Sequence, residues 1–412
     1  MSHSSLQLLR NAEVYAPEPL GRRHLLIGGG RILWLGRDLP RFAPALGVAE
    51  LDLEGRRLVP GLIDGHAHLT GGGGECGFGS RVPPVPLSRY TLAGVTSVVG
   101  VLGTDDTVRD TASLLAQART LREEGLSAWC HCGGYHVPPR TLTGSVRGDI
   151  AHIDPIIGVG EVAISDHRSS QPTLDELLRI AADAHVAGLM TGKAGILHLH
   201  LGDGPRGLEL VRRALEVSEL PPRVFNPTHV NRRKALFAEA LELAARGCVI
   251  DLTAFPSSGP DEWSAAEGLL RYWDAGLPPQ QVTVSSDGGG CLPAFDDAGR
   301  IIHMEVGEPG ELWRTLTELL RRGVPLERAL PPFTVNPARL LRLAGKGEIA
   351  VDGDADLLVL DADHGLWGVM ARGVWHVYGG ALRRRGRFEP ESGQGGTRPG
   401  SADSAAAGSS SR

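Results

Sequence analysis

Residues 59–69 read VPGLIDGHAHL, an apolar run that ends in two histidines one residue apart. So short a run, broken by glycine and followed by a Gly-rich stretch, reads as a buried strand rather than a helix. Seven runs of the same texture follow it: VTSVVGV (95–101), LSAWCHCG (126–133), EVAIS (161–165), GILHLHL (195–201), RVFNPTHV (223–230), CVIDLT (248–253) and QVTVSSD (281–287). Helical periodicity fills most of the gaps. DTASLLAQARTLREEG sets Leu114, Leu115, Ala118 and Leu121 on one face, and NRRKALFAEALELAARG and GELWRTLTELLRRG behave alike. Eight buried-type strands alternating with helices predict an α/β fold closed as a parallel (β/α)8 TIM barrel; six would suit an open doubly wound sheet. The barrel is assigned to 59–343, a span of 285 residues that is close to the roughly 250 typical of that fold.

Outward from the barrel the texture changes. From Leu6 to Leu58 short strands are broken by turn signals, with a hairpin expected in RRHLLIGGGRILWLG and alternation in VAELDLEGRRLVP. GEIAVDGDADLLVLD and VWHVYGGALRRRG read the same way near the other end. The two ends are expected to pair into one small β-rich domain of 1–58 plus 344–388. Gly, Ser and Ala make up 15 of the 24 residues of 389–412, a tail too polar and too simple to bury a core and expected to be disordered.

Composition narrows the class. The 412 residues carry 42 basic and 48 acidic side chains, a net charge of −6, so no basic surface argues for nucleic acid or an anionic membrane. Only Lys193, Lys234 and Lys346 are lysines. Five cysteines (Cys76, Cys130, Cys132, Cys248, Cys291) without a CxxC pair do not make a disulfide framework and fit a reducing cytoplasm. The segment MSHSSLQLLRNAEVYAPEPLGRR has no sustained apolar core of a secretory signal, and no run reaches the roughly 18 apolar residues of a membrane span. A cytoplasmic protein is expected.

Barrel enzymes place their chemistry at the C-terminal ends of the strands. The first strand ends in His66-Ala67-His68, and residues i and i+2 of a strand face the same way. The fourth begins with Glu161, the fifth ends in His200, the sixth in His229 and the eighth in Asp287. Taken singly, each is ordinary: a lone strand-end histidine is more often a hydrogen-bonded core residue, and Asp287 before three glycines could open a turn. Together, four histidines and two carboxylates from five strands form a ligand set for divalent cations, with zinc the default. Six ligands exceed what one zinc needs, so a two-metal site is expected. Cys130-His131-Cys132 is set aside as barrel packing, because alternation puts His131 opposite both cysteines. Asp64, His136, His167 and His198 are read as supporting or structural groups, and Lys193 as a solvated loop residue.

PGLIDGHAHL, the single strand-end histidines and a final SSDG resemble the metal-dependent amidohydrolase superfamily. LTGGGGECG, AGVTSVVGVLGTD, GGYHVPPRTLTGSV, AISDHRS, PTHVNR and VSSDGGG together resemble the isoaspartyl (β-aspartyl) dipeptidases over nearly all of 1–388. The resemblance implies a metallopeptidase that uses two divalent ions, most simply Zn2+, to cleave the isopeptide bond of β-aspartyl dipeptides. It places His66, His68 and Asp287 on one ion, His200 and His229 on the other, and Glu161 between them, where the family usually has a carboxylated lysine. Asp287 would move the proton of the attacking water and Tyr135 would donate to the oxyanion. Glu75 would pair with the substrate ammonium, Arg168 and Arg232 with its carboxylates, and Gly73, Gly74, Thr104 and Cys291 would complete the contacts. Cys291 stands where the family usually has serine. A homo-octamer is implied as well. The alternatives are another amidohydrolase, such as an N-acyl-amino-acid deacetylase or a cyclic-amide hydrolase, and a non-catalytic scaffold, which would typically lose ligands.

Overall fold

The structure, a computed structural model, describes residues 6–255, 259–295 and 301–390. Six strands form one curled parallel sheet: β1 (Leu62–Ala67), β2 (Val95–Gly100), β3 (Ser127–Cys132), β4 (Ile156–Ile164), β5 (Leu197–Leu201) and β6 (Phe225–Thr228), hydrogen-bonded in that order. Two more, β7 (Ile250–Thr253) and β8 (Val282–Ser285), make a parallel pair. This pair sits between the two edges of the six. Thr228 on β6 donates to Asp251 of β7 at 2.7 Å, and beyond β8 the Asp287 amide donates to the His66 carbonyl at 3.1 Å. Helices pack outside, as the apolar stripes require. In Thr111–Glu124, for example, the Asp110 side chain and Ser113 form a reciprocal N-terminal cap, while Leu114, Leu115, Ala118 and Leu121 are buried.

Strands from the two ends of the chain build a second, nine-stranded sheet. Leu6–Tyr15, Pro19–Gly28, Arg31–Gly36, Ala49–Asp52 and Arg57–Pro60 come from one end, and Leu357–Leu360, Leu366–Ala371, Val374–Tyr378 and Ala381–Leu382 from the other. The ends meet where Arg57–Pro60 pairs antiparallel with Leu357–Leu360. The sheet carries an apolar core of its own around Leu25, Ile27, Leu58 and Leu357.

Four expectations need correction. The decisive run VPGLIDGHAHL is two strands, not one: Val59 and Pro60 belong to the nine-stranded sheet, and β1 starts at Leu62. Gly61 is the hinge between them, since a Cβ there would stand 2.1 Å from Thr96 Oγ1. β4 begins at Ile156, so Glu161 lies within the strand rather than at its start. Gly158 and Gly160 make the first half look broken, yet a Cβ on Gly158 would come within 2.7 Å of His131 Nδ1 on the neighbouring strand β3. GEIAVDG is turn and coil, and the missed strand in that region is Leu366–Ala371. Lys193 is not simply solvated: its ammonium donates to the carbonyls of Ile150, Ile153 and Ile156 at 2.6–3.0 Å, covering the end of helix Val146–His152. Of the tail, Glu389 accepts from the Ser88 amide at 2.9 Å, and 391–412 lie outside the described residues. No helix among the described residues is long and apolar enough to cross a membrane.

Candidate metal centre and active site

The six ligand candidates converge at the C-terminal mouth of the parallel strands, and all are buried. Three overlapping groups bring their donor atoms within 4.8 Å of one another: His66 with His68 and Glu161, His66 with His229 and Asp287, and Glu161 with His200 and His229. Glu161 is central. Its Oε1 lies 3.6 Å from His66 Nε2 and 3.4 Å from His68 Nε2, while Oε2 lies 3.1 Å from His200 Nδ1 and 3.4 Å from His229 Nε2. Asp287 Oδ1 completes the first side, 3.4 Å from His66 Nε2 and 3.0 Å from His68 Nε2. The backbone is shaped to aim these groups. His229 and Asp287 both sit at positive φ (60° and 53°), just past their strands. The glycines after Asp287 let the loop fold back on it, since a Cβ on Gly290 would meet Asp287 Oδ1 at 2.2 Å.

The donor set fits divalent cations. His66 Nε2, Glu161 Oε1 and Asp287 Oδ1 are buried and make no hydrogen bond, an arrangement costly in a core unless a cation takes the lone pairs. Electrostatics agree. Burial by itself would lower the His66 imidazole, but Glu161 and Asp287 push it up to about 9. Burial would raise the Glu161 carboxyl, yet His66 and His200 hold it well below the usual carboxylate range. Two carboxylates kept ionised around an imidazole that attracts a proton are the field a cation would occupy.

Above the cluster opens a cavity of about 890 Å³. Gly73, Glu75, Thr104, Tyr135, Arg168, Arg232 and Cys291 line it together with the ligand residues; Gly74 does not. Glu75 Oε1 accepts from Thr104 Oγ1 at 3.0 Å and from Arg168 Nη1 at 3.3 Å, and its Oε2 is buried without a hydrogen bond. Arg232 donates to the Leu201 carbonyl at 2.7 Å and pairs with Asp203 at 3.1 Å. The Tyr135 hydroxyl lies 2.8 Å from His200 Nδ1, and burial raises it well above the usual phenol range, so it keeps its proton. Burial pushes the Cys291 thiol up to about 12, leaving it a neutral wall of the cavity.

Sequence reasoning missed two features here. Asp166 grips Arg168 through both oxygens (3.0 and 2.8 Å) and reaches His200 Nε2 at 3.0 Å. Its signal was its place two residues before Arg168 in SDHRS. The hairpin Cys291–Phe295 with Ile301–Val306 brings Leu292, His303 and Glu305 to the cavity wall. The alternation in IIHMEV could have revealed it. Of the groups set aside, His131 stacks on His198 at 5.5 Å, and Asp64 accepts from the amide and hydroxyl of Ser286. His136 pairs with Asp106, and His167 is exposed on the cavity wall.

A parallel strand set whose C-terminal mouth gathers four histidines and two carboxylates defines a metal-dependent hydrolase of the amidohydrolase superfamily. No family model matches the chain. A β-aspartyl dipeptidase from Fervidobacterium islandicum AW-1, solved with β-Asp-Leu, is 41% identical, with 93% of this chain and 99% of that one covered at a TM-score of 0.88. The chain belongs to the β-aspartyl dipeptidase family. Curated sequence relatives include an imidazolonepropionase from Paracoccus denitrificans, 31% identical over 82% of this chain and 88% of that protein. A D-hydantoinase structure shares the fold at 15% identity and a TM-score of 0.64.

Proposed function

We propose that the protein hydrolyses the isopeptide bond of β-aspartyl dipeptides, with two divalent cations, most simply Zn2+, held by His66, His68, Glu161, His200, His229 and Asp287. One observation carries the reading: Glu75, with a buried oxygen free of hydrogen bonds, lies beside Arg168 on the wall of the cavity that opens over the ligand cluster. A β-aspartyl dipeptide has one ammonium and two carboxylates. Glu75 offers the fixed anion, and Arg168 and Arg232 offer planar cations for bidentate pairing. Bound divalent cations supply an activated water and polarise the scissile carbonyl. Asp287 Oδ1 takes the proton released as water attacks and passes it to the leaving amine. The protonated Tyr135 hydroxyl donates to the oxygen on which charge develops. Glu161 supplies a ready-made carboxylate between the two ligand groups, so the site assembles without carbon dioxide.

The same reading takes the eight strands as a closed (β/α)8 barrel over 59–343, less Val59 and Pro60, which the nine-stranded sheet claims. Beside it lies a β domain of 1–58 plus 344–388, supported by the separate apolar core of the nine-stranded sheet. It also carries a homo-octamer, from the family resemblance, and a cytoplasmic location, from the cysteine pattern; sedimentation would test the first. The imidazolonepropionase relatives favour a second reading, in which the same cluster serves a substrate without a free ammonium. Turnover of β-Asp-Leu, α-Asp-Leu and imidazolonepropionate by the metal-loaded protein separates the two. The proposal expects turnover of β-Asp-Leu alone, and turnover of imidazolonepropionate alone overturns it.

A further inference from the structure

Behind the metal centre runs a chain of buried hydrogen bonds that no catalytic role accounts for. His66 Nδ1 lies 2.7 Å from His198 Nε2, His198 Nδ1 lies 2.7 Å from Asn226 Oδ1, and Asn226 Nδ2 donates to the Val249 carbonyl at 2.7 Å. The chain leaves β1, crosses the barrel interior to β5, steps to β6 and ends on the backbone just ahead of β7. All three side chains are buried, at most 2% exposed.

Read from the far end, with both rings neutral as His66 must be to bind a cation, every proton has one place to be. A backbone carbonyl can only accept, so the Asn226 nitrogen faces Val249 and its oxygen faces His198. That oxygen can only accept, so His198 carries its proton on Nδ1. The remaining His198 nitrogen, Nε2, is then an acceptor, and His66 must carry a proton on Nδ1. The lone pair of His66 is thereby left on Nε2, the buried atom that points at Glu161 and Asp287 without a hydrogen bond. We infer that Asn226 and His198 are positioning residues that lock His66 in the one tautomer able to bind a cation, with the Val249 carbonyl as the anchor. A metal-binding imidazole is usually oriented by whatever its other nitrogen bonds; in this chain the orienting group is a neutral histidine set by an amide. The inference rests on the cation reading of the cluster and is independent of the substrate.

The test is a Zn2+ titration of metal-stripped protein, wild type beside His198→Leu and His198→Gln. A glutamine amide keeps the polarity of the chain, its oxygen accepting from His66 and its nitrogen donating to Asn226; leucine ends it. Loss of such a partner typically weakens metal binding about 10–100-fold. The Leu variant should show that loss and the Gln variant should recover most of it. Equal affinities in wild type and Leu variant, or equal losses in both variants, would overturn the inference. Should the Leu variant fail to fold, 15N-histidine spectra of the zinc-loaded wild type decide. They should show His66 protonated at Nδ1 and His198 protonated at Nδ1 only; a proton on His198 Nε2 would contradict the chain. A protein that binds zinc as described but leaves β-Asp-Leu untouched would count against the dipeptidase reading alone.

Discussion

Glu75 has two oxygens with different tasks in the structure. Oε1 is committed to Thr104 and Arg168, and Oε2 is buried without a hydrogen bond, on a residue that lines the cavity. Its charge is what an ammonium would meet. Glu75→Gln should therefore cut kcat/KM for β-Asp-Leu by the cost of a desolvated ion pair, about 2–5 kcal/mol, with metal content unchanged. Kinetics alongside metal analysis checks this, and unimpaired turnover would remove Glu75 from the substrate site. The arginines make a paired case. Arg168 is clamped by Asp166, so its guanidinium is fixed before substrate arrives, whereas Arg232 is held by a backbone carbonyl and the more exposed Asp203. Arg168→Met and Arg232→Met should each impair the dipeptide more than an analogue amidated at the matching carboxylate. Equal impairment on both would make the arginine structural.

At the scale of elements, β4 shows how the parallel sheet makes room for its site. Gly160, at φ 142°, precedes Glu161, and a Cβ there would stand 2.4 Å from the His198 carbonyl oxygen, a backbone atom of β5. Gly160→Ala should destabilise the protein by the cost of overpacking, about 1–3 kcal/mol, and lower its zinc content, because Glu161 and His198 both shift. Gly310→Ala, at the start of a helix and with nothing within 4 Å of the added Cβ, is the control and should be neutral to slightly stabilising. Denaturant midpoints and metal analysis on both variants check this. Glycines within strands, Gly158 and Gly160 in β4 and Gly368 in Leu366–Ala371, explain what the sequence concealed. They broke the apolar run of β4 in two and disguised Leu366–Ala371, where a Cβ on Gly368 would meet the Trp375 ring at 2.8 Å. The ligand residues were legible because cation chemistry needs those residue types at strand ends, one strand after another. Asp166 and Asn226 were not, because their meaning lies in a partner on another element: His200 for one, His198 and Val249 for the other.

Across the whole molecule, the candidate metal cluster opens into a cavity lined by the Glu75 carboxylate and the guanidinium groups of Arg168 and Arg232. Glu161 brings its carboxylate with the chain, so metal-stripped protein rebuilt with zinc should recover activity equally with and without added bicarbonate. A strict bicarbonate requirement would show that Glu161 does not do the bridging. The central claim is linkage-selective hydrolysis at a two-cation site. The most direct measurement of it is kcat/KM on β-Asp-Leu and α-Asp-Leu for protein reconstituted with zinc and counted for metal in the same sample. Two zinc ions per chain, turnover of the β-linked dipeptide and none of the α-linked one are expected. One zinc at full activity, or equal turnover of both dipeptides, would contradict it.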